Sequence, residues 1–127
     1  TDSLTFYVGH TYQWGEDGEG RRLANTANHT LKTHAVYNFD NGVWGSAAWR
    51  YSGSKIRESG DTRERLDGWQ TADLSLGYKI KPYRAELQIT AKNIFDQKIK
   101  YPSEPKTYND DYPGEARGIY ATVRGRF

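Results

Sequence analysis

The stretch GIYATVRGRF, residues 118–127, decides how the rest of the chain is read. Ile119, Ala121, Val123, Gly125 and Phe127 fall on one face of an extended strand, and Tyr120, Thr122, Arg124 and Arg126 fall on the other. Successive side chains of a strand point to opposite faces, so the alternation makes one apolar and one cationic face. Two arginines exclude a strand buried on both sides. A strand with lipid on one side and water on the other has this pattern, and so does an amphipathic strand at the end of a soluble sandwich. Only the first accounts for the aromatic at the last position.

Composition narrows the choice. The 127 residues make one domain or less, and 35% hydrophobic content with a mean hydropathy of -0.93 leaves little material for a large dry core. No run of about 18 apolar residues is present, so no transmembrane helix is predicted. Ten tyrosines and four tryptophans nonetheless set the chain apart from disordered sequences. A transmembrane barrel reconciles the two, because only alternate residues of its strands face lipid while the interior and loops are polar. The absence of cysteine removes disulfide frameworks and thiolate metal sites. A net charge of +2, with acids interleaved among the bases, gives no footprint for nucleic acid. No signal peptide is visible at Thr1, so an exported chain is expected to be mature, trimmed, or a piece whose beginning lies elsewhere.

The same period of two recurs in five earlier segments. Tyr83 to Phe95 sets Tyr83, Ala85, Leu87, Ile89, Ala91, Asn93 and Phe95 against Arg84, Glu86, Gln88, Thr90 and Lys92. Ala72 to Ile80 sets Ala72, Leu74, Leu76, Tyr78 and Ile80 against Asp73, Ser75, Gly77 and Lys79, with only Lys81 and Pro82 between the two segments, a tight hairpin turn. Upstream, Val43, Gly45, Ala47, Trp49 and Tyr51 form one apolar row, and Leu31, Thr33, Ala35, Tyr37 and Phe39 another, joined by Asp40, Asn41 and Gly42. The first segment carries Leu4, Phe6, Val8, His10, Tyr12 and Trp14 on one face. His10 is out of place on a row directed at lipid.

The long connections, residues 15–28, 52–70 and 96–117, all fall at the end opposite the short turns. That is the up-and-down arrangement of an outer-membrane barrel, with short periplasmic turns and long extracellular loops. Phe127 then lies at the periplasmic end. Aromatics gather at both ends of the apolar face: Tyr12, Trp14, Trp49, Tyr51 and Phe95 outward, Tyr37, Phe39, Tyr78, Tyr83 and Phe127 inward. The expected fold is all-β, an antiparallel up-and-down transmembrane barrel segment of about six strands, incomplete on its own.

Three blocks, GWQTADLSLGYKI, ELQITAKNIFDQKIKY and YPGEARGIYATVRGRF, resemble the last three strands of TonB-dependent outer-membrane receptors. Asp73, Leu74 and Tyr78 match one strand of that family, Asn93, Ile94, Phe95 and Asp96 the end of the next, and Pro113 with Gly114 the approach to the final strand. RLANTANHTLKTHAVYNF is similar to the stretch leading into an earlier strand. The resemblance implies an importer of scarce ligands, most often ferric siderophores, in the bacterial outer membrane, powered through the TonB energy-coupling complex. It further implies a barrel of about 22 strands closed by a plug, of which residues 1–127 would be the C-terminal part, the plug and earlier strands being absent. Partners would be outer-membrane lipid, the remaining strands and plug, TonB through that plug, and a siderophore or similar small ligand. Phe127 would be the signal read by the outer-membrane assembly machinery.

Candidate site residues follow from the loops. Tyrosine offers rigid contact area with a hydrogen-bonding tip, and arginine gives charge-assisted bonds to an anionic ligand. Tyr101, Tyr108, Tyr112 and Arg117 of the third loop, with Arg21 and Arg22 of the first, are the expected ligand contacts. The loop at 52–70 is charged but balanced and is expected to be a solvated, mobile surface loop, as is the charge of Asp110 and Asp111. His10, His29 and His34 lack a metal-ligand spacing, and only His29 is placed to meet cargo; no metal or cofactor is expected. Asp73, Lys79, Arg84, Glu86 and Lys92 are expected to form a charge network on the interior face. No nucleophile, base and orienter can be assembled from the loops, so an enzyme is not expected. A small autonomous outer-membrane or soluble β-barrel, acting as an adhesin or binding module, stays open as the alternative.

Overall fold

The computed structural model describes residues 3–104 and 107–125. Phe127, the expected assembly signal, and Arg126 lie outside the described residues. Six antiparallel strands form one sheet in the order β1 (Ser3–Tyr12), β2 (His29–Asn38), β3 (Val43–Ser52), β4 (Trp69–Ile80), β5 (Ala85–Lys92) and β8 (Gly118–Gly125). A separate two-stranded ribbon, β6 (Lys100–Tyr101) with β7 (Tyr112–Pro113), stands in the third loop. Each strand pairs with its neighbour in sequence, as an up-and-down wall requires, and the sheet does not close: β1 and β8 are its two edges. No described helix is long and apolar enough to cross a membrane, which says nothing of strands.

Register carries the alternation across the whole sheet. Tyr78 of β4 lies opposite Val43 of β3 and Leu87 of β5, and Leu87 lies opposite Val123 of β8, so the apolar rows of four strands merge into one surface. Nothing covers it among the described residues. Leu76 is 60% exposed, Ile89 59% and Val123 75%. A sheet in water hides such a face against a second layer, and a soluble sandwich would have one.

Turn chemistry sets the strand ends and corrects several expected boundaries. Gly42 has φ 87°, and a Cβ there would come within 3.0 Å of the Lys79 carbonyl oxygen, so the Asp40–Gly42 turn needs glycine. Lys81–Pro82 is not a two-residue turn. Proline is held near φ of about −65°, whereas the two-residue turns that suit hairpins need positive φ at one or both central positions. The chain instead makes a short 3₁₀ turn over Lys81–Tyr83 and is reversed by Arg84 at φ 47°, whose N–H reaches the Lys81 carbonyl. Tyr83 and Arg84 are therefore turn residues. β5 also stops earlier than its alternation suggested, because Asn93 adopts φ 46° and Asp96 φ 52°. β1 ends at Tyr12, leaving Trp14 in the loop, and β4 begins at Trp69, three residues before the expected Ala72.

Candidate functional site

The three long loops, at 13–28, 53–68 and 93–117, gather at one end of the sheet, and the buried residues gather with them. Ala27, Leu66, Ile99 and Ser103 come from the loops, Asn93 from the end of β5, and Ser52 and Thr71 from the polar rows of β3 and β4; each is less than a tenth exposed. The loops thus fold inward over the polar face. Loop one joins loop two through the Asn25 N–H to the Ile56 carbonyl (2.7 Å) and a bridge between Ala27 and Lys55. Lys55 in turn bridges Leu66 across loop two.

Loops two and three are joined by charge. Arg57 donates two bonds to the Asp111 carboxylate, at 2.8 and 2.7 Å, and Arg63 donates to Asp61 at 2.7 Å. The Arg63 guanidinium also reaches the Ser103 carbonyl at 2.8 Å and the Ser103 hydroxyl at 3.0 Å. The Ser103 hydroxyl bonds the Tyr108 and Asp110 carbonyls in its turn. The side chains of Arg57, Asp61 and Asp111 are 8%, 5% and 7% exposed. Hydrogen bonds from Arg63 hold the Asp61 carboxyl down to about 2, against an ordinary value of 3.8. Asp111 is lowered by its bonds from Arg57, and Arg57 is raised by Asp111. The expectation that loop two is a mobile, solvated loop is therefore corrected, as is the solvated state of Asp111. Ions this buried must be paired, and bidentate arginine fixes their geometry.

Asn93 is the hinge pin of loop three. Its backbone N–H donates to Asp73 (2.9 Å), and its side-chain amide donates to the carbonyls of Gln97 (2.9 Å) and Glu115 (3.0 Å) while accepting from the Gln97 N–H (2.9 Å). Every bonding position of that amide group but one is thus satisfied at 1% exposure. Asp73 holds Arg50 as well, at 2.9 Å. The interior charge network is consequently split: Arg50 with Asp73 and Lys92 with Glu115 at the loop end, while Glu86 accepts from the Trp44 indole at 3.2 Å.

The expected ligand contacts divide in the same way. Tyr108 and Tyr112 stack in parallel, 5.6 Å between centroids, and Tyr112 lies opposite Tyr101 in the β6–β7 ribbon. Tyr101 sets its ring edge-on to Trp69 and under the Lys55 ammonium, 5.5 Å away. The three tyrosines are together and partly exposed. The arginines do not join them among the described residues. Arg21 is engaged by Asp17 and Glu19, both at 2.9 Å, Arg22 by the Asn28 side chain, and Arg117 approaches Asp96 at 3.9 Å. Beside the tyrosines, a cleft of about 340 Å³ is lined by Trp69 and by Arg57, Arg65, Lys98 and Lys100 against Glu64, Asp67 and Asp111; its lysines and Arg65 were not selected by the sequence reading. The Trp69 indole N–H at this cleft, and the Thr71 hydroxyl two residues along the same row of β4, are buried without a described partner. His29 does not face this site: it lies across from Tyr12 on the apolar side, with its Nδ1 3.2 Å from His10 Nε2.

An open antiparallel wall, bare on its apolar face and capped by loops on its polar face, is what one arc of a large membrane barrel looks like. The sequence profile for "TonB dependent receptor-like, beta-barrel" matches residues 2–94. The chain belongs to the TonB-dependent receptor family. A comparison with curated protein sequences gives no match. Among solved structures, the chain is similar to the ferric-catecholate import receptor Fiu from Escherichia coli K12 in its closed form, with a TM-score of 0.80 and 24% identity. That match covers 98% of this chain and 19% of the Fiu chain. The chain therefore spans about a fifth of the length of that receptor, in the TonB-dependent receptor fold.

Proposed function

We propose that this chain is the C-terminal arc of an outer-membrane importer, its apolar rows against lipid and its capped polar face turned to the lumen. The bare apolar face carries this reading: a surface with Leu76, Ile89 and Val123 open along its length has hydrocarbon as its solvent. Further strands of the same receptor would pair with β1 and β8, since open edges do not survive in a bilayer. A plug in the lumen and the TonB complex would couple transport to energy, and the protein would carry cargo rather than catalyse a reaction.

The cargo in this reading is an anionic, aromatic ferric siderophore of the catecholate kind. The Tyr108–Tyr112 stack, Tyr101 and the cations of the neighbouring cleft offer ring surface and donors suited to it. Arg117 stands nearby in sequence, while Arg21 and Arg22 serve the internal structure of loop one. The test is uptake of labelled ferric catecholate by iron-starved cells that depend on the receptor carrying this wall. The double variant Tyr108→Ala, Tyr112→Ala is expected to weaken uptake affinity by about tenfold, the scale of one aromatic pair, at unchanged receptor level. Unchanged affinity overturns the assignment of the cargo.

A further inference from the structure

We infer that His10 and His29 form a two-point chelate for a divalent transition-metal ion of the zinc, nickel and copper class, at the loop-end rim of the apolar face. The pair lies away from the tyrosines and plays no part in the assignment of cargo. The two residues are 19 apart in the chain, which is no metal-ligand spacing, and the β1–β2 register closes the gap. His10 lies opposite Leu31 and Tyr12 opposite His29, so the histidines are diagonal neighbours on one face. Both are exposed. The rest of that row of β1 is Leu4, Phe6, Val8 and Tyr12. In the proposed reading this row faces lipid, where an ionisable side chain is costly to keep and marks a site with a named partner.

Geometry suits a metal. His10 Nε2 stands 3.2 Å from His29 Nδ1, the ring planes lie within 15° of each other, and the centroids are 5.5 Å apart. The nitrogens are closer than the centroids, so the rings meet edge to edge with one nitrogen of each turned toward the other. Two nitrogens bound at the usual zinc distance stand about 3.3 Å apart on a tetrahedral ion and about 2.9 Å apart on a square or octahedral one. The observed spacing lies between these values. An ion sits off the line between the nitrogens, so each ring must tilt toward it; the outer torsion of histidine is soft, and both rings are free to turn. The supports are firm. Both ligands stand on paired strands, and the His29 carbonyl accepts from the Gly53 N–H at 2.9 Å, beside a bond from the Gln13 N–H to the Asn28 carbonyl, also 2.9 Å. The Tyr12 ring packs on His29 at 4.9 Å between centroids. No group of three or more His, Cys, Asp or Glu ligands occurs among the described residues, so water completes the shell. Imidazole nitrogen selects zinc, nickel and copper over magnesium and calcium, which take oxygen.

The test titrates the full chain, folded in a zwitterionic detergent and stripped of metal, with Zn²⁺ by calorimetry. One ion per chain is expected to bind, and Mg²⁺ is not. His10→Asn and His29→Asn should each weaken binding at least about tenfold, because each reduces a chelate to a single contact. His34→Asn, on the polar row of β2, should leave it unchanged. Zinc-edge X-ray absorption of the unsubstituted chain decides the matter without any variant: two imidazole nitrogens are expected, with oxygen in the other positions. Zn²⁺ should also raise the urea midpoint of that chain and not of His10→Asn, as binding to the folded state requires. No bound zinc, equal binding of Mg²⁺, an equal loss in His34→Asn, full binding by either ligand variant, an unmoved urea midpoint, or a shell with other than two imidazoles each overturns the inference.

Discussion

The strands and the loops of this chain solve opposite problems. The sheet has an apolar face and no core of its own: Leu74, Leu76, Leu87, Ile89, Ile119 and Val123 are all open. The loop end, rich in charge, holds the buried residues, with Arg57, Asp61 and Asp111 nearly sealed from solvent. In the proposed reading, hydrophobic residues sit outside where hydrocarbon replaces water, and ions sit inside where water surrounds a set of loops that must hold itself together. The difference is one of solvent, and hydropathy averaged over the chain conceals it.

Substitutions can break that comparison. Ile89→Arg, which places a cation on the apolar row mid-strand, is expected to cost about 2–4 kcal/mol in lipid vesicles, the range for arginine at a bilayer midplane. Thr122→Arg, at an exposed position on the polar row of β8, should cost no more than about 0.5 kcal/mol. Urea titration of the folded fraction compares the two, and equal costs would remove the distinction between faces. Arg57→Ala leaves Asp111 and Asp61 short of a partner. Breaking a buried pair costs about 3–5 kcal/mol when the remaining ion is left alone, and about 2 kcal/mol is expected here because Arg63 still faces Asp61 at 2.7 Å and Asp111 at 3.7 Å. Hydrogen exchange should rise across 53–68 and 93–117 while β2 to β5 stay protected; faster exchange throughout would mean that loops and sheet are one cooperative unit.

The smallest effect is that of acid. Asp61 has its folded value lowered to about 2 from 3.8, so its stabilising contribution is complete above pH 3.8 and is lost as pH falls through about 2. Protease accessibility of loop two should therefore be flat from neutral pH down to 3.8 and increase below it. Loosening already at pH 6 would show that another group governs the latch.

Much of the wall was legible because a strand's alternation is local: the six sheet strands, their order and the two faces follow from residue i and residue i+2 alone. The ends of those strands were less so. The alternation of Tyr83 to Phe95 runs on through Arg84 and Asn93, yet left-handed backbone at both positions removes them from the ladder. Pro82 was the available signal for the first. The loop latch was hidden for a different reason. Arg57 and Asp111 are 54 residues apart, and the charge balance of loop two is the same whether its ions are solvated or buried.

The sequence by itself determined the six strands of the wall though not the β6–β7 ribbon, the apolar and polar faces, and the family through the residues from Asp73 to Asp96 and around Pro113. Those depend on patterns within a strand or a turn. Tertiary structure decided that the tyrosines of loop three meet while Arg21 and Arg22 turn away, and that His29 joins His10 on the apolar side. Each depends on which groups the register brings within a few ångströms, and Coulomb and hydrogen-bond energies fall off too steeply for spacing along the chain to reveal it.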